Sequence, residues 1–159
     1  MKIYLLRHGM AEDYHPGGSD KDRELTPEGI RQVEAVAGSL SRLQLKLDRI
    51  VTSPYPRALE TAEIVAHILL LKNHLTVDER LAPGFHLGDM QAVIEDQPRI
   101  ERWMFVGHNP DLPIIAGQLV GGAAIDMKKA GLIRVETEHI ESGSGILEWV
   151  LTPATLTRP

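Results

Sequence analysis

The apolar residues of this chain fall into two rhythms, and the rhythms alternate. Residues 2–7, "KIYLLR", are an almost unbroken apolar run, the mark of a strand buried on both faces. A polar loop with Pro16, Gly17 and Gly18 follows, and then the period lengthens. Ile30, Val33, Ala37 and Leu40 recur at helical spacing and build one apolar face. That segment also carries a start signal: Thr26 as N-cap, Pro27 at the first helical position and Glu28 at the positive end of the helix. "DRIVTSP" (48–54) predicts a second strand stopped by proline, and Ala58, Ala62, Val65 and Leu69 predict a helix over 56–71. Residues 75–79 predict a third, short strand, 88–97 a short helix and 102–108 a fourth strand. The last helix begins in "NPDLPIIAGQLVG", with Asn109 as its cap and Pro110 in its first turn; Pro113, so early in a helix, costs little.

Towards the C-terminus the rhythm changes again. "GLIRVETEHI" places Ile133 and Val135 on one face and Arg134, Glu136 and Glu138 on the other. "ESGSG" turns this strand into "ILEWVLTP", which predicts a hairpin. The expected fold is a single α/β domain over residues 1–159. It has three layers, with a mainly parallel sheet, helices on both faces and an antiparallel C-terminal element.

Composition narrows the function. The chain is 43% hydrophobic and 25% charged, as in ordinary globular domains. No apolar stretch approaches the roughly 20 residues of a membrane helix, and the N-terminus shows no signal-peptide pattern. A cytoplasmic protein is the default expectation. The absence of cysteine removes disulfide and thiolate chemistry. A formal net charge of -5 disfavours a nucleic-acid surface, so a bound anion needs a local cluster of positive groups.

The predicted strand ends supply such a cluster. In an open parallel sheet, ligands bind outside the carboxyl ends of the strands. The first strand ends in Arg7-His8, the second in Ser53-Pro54 with Arg57 close behind, and the fourth in Gly107-His108. Arginine offers forked, permanently charged donors to phosphoryl oxygens, and helix N-termini add oriented N–H groups. A neutral imidazole within the cluster can act as nucleophile, and crowded positive charge keeps it neutral. The second histidine, if protonated, would stabilise charge on the transferring oxygens. Arg23 either reaches the site from its loop or is a solvated surface arginine, Ser53 can hydrogen-bond a catalytic histidine or cap the helix, and Asn109 is a further candidate contact to substrate.

At these residues the chain resembles the histidine phosphatase superfamily, through "LLRHG", "LTPEG", "TSPYPRALETA" and "FVGHNP" in the family's order. "EWVLTP" resembles the ending of one small branch, and short length, "RELTPEG" and the absence of large insertions look most like its SixA-type phosphohistidine phosphatases. The resemblance implies that His8 is the phosphorylated nucleophile and that Arg7, Arg57 and His108 bind and stabilise the phosphoryl group. It implies neither cofactor nor metal. The expected partner is a phosphohistidine-bearing protein in a signalling pathway, with phosphate as product.

One family feature is missing. Many relatives carry a glutamate after the third strand that protonates the leaving oxygen, and "ERLAPGFHLGD" has proline and glycine there. Glu79, His86 and Asp89 lie nearby, but none matches in register. General acid catalysis is worth on the order of 100- to 10,000-fold. An alkoxide needs that help, whereas imidazole, with a conjugate acid of pKa about 6.5, departs more readily. The gap therefore favours phosphohistidine as substrate. The short spacing from Arg57 to His108 leaves little chain for a lid, which suits a side chain displayed on another protein. The alternatives are a phosphatase of a small metabolite and a phospho-binding module without catalysis; the intact His8 speaks against the module. His15, His67, His74 and His139 default to surface or packing roles. No histidine pair has helical metal-site spacing.

Overall fold

The alternating rhythm becomes a six-stranded sheet with the order β3-β2-β4-β1-β5-β6 in this computed structural model. The strands are β1 (Lys2–Arg7), β2 (Arg49–Thr52), β3 (Leu75–Val77), β4 (Arg102–Gly107), β5 (Leu132–Glu136) and β6 (Ile146–Leu151). The helices are α1 (Pro27–Arg42), α2 (Pro56–Ile68), α3 (Leu87–Glu95), α4 (Asp111–Leu119) and the short α5 (Pro153–Leu156). The structure describes residues 1–158; Pro159, the last residue of the expected domain, lies outside the described residues. Strands β1, β2, β3 and β4 pair in parallel, and β5 joins β1 antiparallel before pairing antiparallel with β6. The expected architecture is the observed one.

Residue alternation in β1 sorts the core into two layers. Ile3 and Leu5 face one cluster, shared with Met90 and Val93 of α3 and Leu112 and Ile115 of α4. Tyr4 and Leu6 face the other, shared with Val33 and Val36 of α1 and Ala58, Ala62 and Val65 of α2. Because β1 lies between β4 and β5 with helices above and below, all four of these residues are buried. At roughly 1.5–3 kcal/mol for each fully buried large apolar side chain, this strand is among the most stabilising in the sheet. Its C-terminal end is therefore a rigid platform.

Two helix ends depart from the pattern. The apolar period runs on through Leu69, Leu70 and Leu71, but α2 stops at Ile68. Leu70 takes a left-handed φ of 59°, Leu71 N–H donates to Ala66 O and Leu70 N–H to His67 O. This pair of bonds satisfies the last carbonyls of the helix and turns Leu70 out to solvent. At the other end, Asn109 does not cap α4. The helix begins at Asp111 with Pro110 in the cap position, and Asn109 is exposed, one residue too early to reach the free N–H groups. The Thr26 cap is observed, with its Oγ accepting from Gly29 N at 2.9 Å.

Gly29 explains why "LTPEG" is spelled with glycine. A Cβ there would come 2.0 Å from the carbonyl oxygen of Met10. The first turn of α1 thus lies directly against the chain leaving His8, and Thr26 N–H bonds the same carbonyl at 3.0 Å.

Candidate active site

Each parallel strand delivers one part of the site at its carboxyl end. His8 follows β1, and its N–H donates to Gly107 O at 3.1 Å, so the ladder to β4 extends to the histidine itself. Ser53 follows β2, and its N–H donates to Val106 O at 3.0 Å. His108 follows β4. Arg57 stands on the first turn of α2. The structure brings Arg7, His8, Ser53, Arg57, His108 and Arg23 into one neighbourhood and leaves Asn109 without a hydrogen bond to any of them.

His8 is 6% exposed, and its Nδ1 lies 2.7 Å from the carbonyl oxygen of Gly9. A carbonyl can only accept, so Nδ1 carries the proton and Nε2 keeps its lone pair. Burial, followed by the charges of Arg57, Arg7 and Arg23, lowers the His8 pKa to about 4; the bond to Gly9 O opposes this only in part. The imidazole is neutral at physiological pH, with a defined tautomer. Gly9 is itself held, because its N–H donates to Thr61 Oγ at 3.1 Å and Thr61 Oγ–H donates to Arg57 O at 2.7 Å. Thr61 ties the turn that orients His8 to the helix that carries Arg57. The sequence reading missed Thr61, although its place one helical turn after Arg57 was visible.

His108 packs 5.5 Å from His8, centroid to centroid, and edge-on to Tyr55 at 5.3 Å. Its Nε2 lies 2.8 Å from Ser53 Oγ, which also accepts from Tyr55 N–H at 3.2 Å. Ser53 is fully buried and His108 Nε2 is the one acceptor its hydroxyl proton meets among the described bonds, so donation to Nε2, with the His108 proton on Nδ1, is the arrangement that satisfies the hydroxyl. Ser53 serves His108, not His8, and α2 has no side-chain cap. Burial, Arg57 and His8 lower the His108 pKa to about 3. Desolvation beside guanidinium groups keeps this imidazole neutral, so a charge on it would have to be brought by the phosphoryl group itself.

Arg57 is 5% exposed. Its two terminal nitrogens donate to Asp20 O at 2.8 Å and Asp20 Oδ2 at 3.3 Å. Arg23 donates to Asp20 Oδ1 at 2.7 Å and to Glu12 O at 2.6 Å. Arg7 is anchored by a bond to Met127 O at 2.9 Å. Among the described residues, Arg7 Nε, Arg57 Nε and His108 Nδ1 are buried side-chain polar atoms without a hydrogen-bond partner. Each of the three is an N–H donor. An anion with several acceptor oxygens is the ligand that such a set is built to satisfy.

Among the described residues, Glu79, His86 and Asp89 make no hydrogen bond to Arg7, His8, Arg57 or His108. His86 Nδ1 and Asp89 Oδ2 pair with each other at the start of α3, with His86 largely exposed, and Glu79 lies in a short turn after β3. Asp20 is the carboxylate that hydrogen-bonds the arginines. The hydrogen bond from Arg23 holds its carboxyl below the usual range, so it has no proton to give near neutrality.

The neutral histidines have a measurable consequence. Their pKa values are depressed, so below about pH 6.5 the unfolded chain takes up protons that the native site refuses, and stability falls until the native values are reached. With both rings buried, wild type should lose about 2 kcal/mol between pH 6 and pH 5 beyond what a His8→Asn/His108→Asn variant loses. Urea unfolding at the two pH values measures the difference. Parallel stability curves for the two proteins would show that the histidines are not held neutral.

Residues 3–115 match the family described as Histidine phosphatase superfamily (branch 1). The chain belongs to the histidine phosphatase superfamily. It is 27% identical to phosphohistidine phosphatase SixA of Escherichia coli over 158 residues, which cover 98% of this chain and 96% of that protein. A solved structure of the protein histidine phosphatase SixA complexed with tungstate superposes with a TM-score of 0.87 at 25% identity, covering 98% and 99% of the two chains. The human mitochondrial serine/threonine-protein phosphatase PGAM5 is 44% identical over 102 residues, 64% of this chain but 32% of that protein. As a member of this superfamily the chain is a phosphatase, and relatives differ in what carries the phosphate. No described helix is long and apolar enough to cross a membrane.

Proposed function

We propose that this phosphatase removes phosphate from phosphohistidine on a protein, through a covalent intermediate on His8. The observation that carries the reading is the state of His8: buried, neutral, with Nδ1 tied to Gly9 O and Nε2 free, amid Arg7, Arg57 and Arg23. Nε2 attacks the phosphorus of a phosphohistidine protonated on its other ring nitrogen, the new P–Nε2 bond forms as the substrate's P–N bond breaks, and the substrate side chain departs as neutral imidazole. Arg7 and Arg57 bind the phosphoryl oxygens, and His108 donates Nδ1–H to one of them. Negative charge arriving with the phosphoryl group favours a proton on His108, reversing the effect of the guanidinium charges. Water then attacks phosphorus, the P–N bond to His8 breaks, and inorganic phosphate leaves with His8 neutral again.

Three observations support phosphohistidine as substrate. Near-full-length similarity runs to a phosphohistidine phosphatase. The stretch 79–89 offers no acid in register. The carboxylate that does touch the arginines is ionised. Similarity to a serine/threonine-protein phosphatase over 102 residues favours phosphoester cleavage as the second reading.

Assay of the purified protein on a histidine-phosphorylated protein, a phosphoserine protein and a sugar phosphate decides between them. The expected kcat/KM is at least about 100-fold higher for phosphohistidine than for either ester. Activity should survive chelators, since guanidinium groups and N–H donors supply the positive charge. Equal rates on all three substrates would move the assignment to the phosphoester reading.

A further inference from the structure

The loop between β1 and α1 brings a carboxylate into a site built for anions, and the proposed chemistry has no use for it. Asp20 accepts from Arg57 through both its backbone carbonyl and Oδ2, and from Arg23 through Oδ1. Its side chain is 65% exposed, and the turn that carries it, residues 20–22, buries nothing. Packing does not explain its position. The Arg57 side chain beneath it is 6% exposed, so the buried cation meets an anion that solvent could hold equally well.

We propose that Asp20 is a resident counter-anion that sets the affinity of the phosphoryl site. It partly neutralises Arg57 and Arg23, so that free phosphate is held weakly and leaves readily. The inference rests on the phosphatase reading and adds a determinant of ground-state affinity to it. A phosphatase makes an anion with the same phosphoryl oxygens as its substrate. Arginines that bind both equally well raise product inhibition without speeding the chemical step. A carboxylate on the same guanidinium groups weakens such uniform binding at every stage, while His8, which makes no hydrogen bond to Asp20, keeps its Nε2 free to attack.

The competing explanation is that Asp20 only orders Arg57 or the loop. The two make opposite predictions. Asp20→Asn removes the charge while keeping the backbone carbonyl that accepts from Arg57. The loop keeps its other ties, among them Arg23 Nε–H to Glu12 O and Ser19 N–H to Asp22 Oδ2. Loss of a unit charge within hydrogen-bond distance of two guanidinium groups, at a partly exposed position, should tighten inorganic phosphate binding roughly tenfold. A role in ordering would weaken it.

Titration calorimetry with inorganic phosphate, and its inhibition constant in turnover, should be measured for wild type, Asp20→Asn, Asp20→Glu and Arg57→Gln. Tighter phosphate in Asp20→Asn, wild-type affinity in Asp20→Glu and a steeper salt dependence in Asp20→Asn are the expected results. Unchanged or weaker phosphate binding in Asp20→Asn overturns the proposal while leaving the phosphatase reading intact. Phosphate binding that is indifferent to Arg57→Gln overturns the phosphoryl-site reading itself.

Discussion

His8→Ala should abolish turnover, with a loss on the order of 10,000-fold or more, because a covalent route without its nucleophile has no first step. The variant also loses a buried ring and its bond to Gly9 O, so some stability goes with it. Arg7 and Arg57 remain, and inorganic phosphate should still bind, which separates lost chemistry from lost fold. Wild type quenched during turnover of a labelled substrate should keep the label on His8 in alkali and lose it in acid, as N–P bonds do. His8→Ala should hold none. Label on a serine or an aspartate instead would end the His8 mechanism.

Much of this was legible in the sequence because the site sits on the sheet. A strand buried on both faces announces itself as an apolar run, and the residues at its tip are then fixed in space by the neighbouring strands. Arg7, His8, Ser53 and His108 could be placed together for that reason, and the ladder bonds from His8 to Gly107 and from Ser53 to Val106 show how directly the sheet holds them. The loop over residues 11–24 had no such rhythm. Its shape comes from polar bonds, such as Arg23 to Glu12 O and Glu24 N–H to Glu12 Oε2, that no periodicity encodes. Asp20 was invisible for that reason, and Arg23 could not be told from a surface arginine. The error at Asn109 was different in kind. The sequence showed an Asn before a helix, but the first helical residue fell at Asp111, one position later than a cap at Asn109 requires. The protonation of His108 stayed open because sequence shows which residues gather, not how thoroughly water is excluded from them. Burial is the first cause of its depressed pKa.

Substrate choice is where the proposed function meets its hardest test. Without a proton donor at the leaving atom, the departing group must carry its own charge, and rate should follow leaving-group stability. Across a series of aryl phosphates, log kcat/KM should rise steeply as the pKa of the phenol falls, provided the chemical step limits the rate. A positioned acid would flatten that slope, because protonation offsets poor leaving ability. Alkyl phosphates, whose alcohols leave worst, should fall about 100- to 10,000-fold below phosphohistidine, the range that general acid catalysis otherwise supplies. Glu79→Gln, His86→Ala and Asp89→Asn sharpen the test. The pairing of His86 with Asp89 and the position of Glu79 in its turn predict that none of the three changes the slope. A variant that slows alkyl substrates alone would identify a hidden acid, and a shallow slope in wild type would remove the chemical reason for preferring phosphohistidine. A steep slope in all four proteins would mean that the substrate's own imidazole does what the missing glutamate does elsewhere in the superfamily.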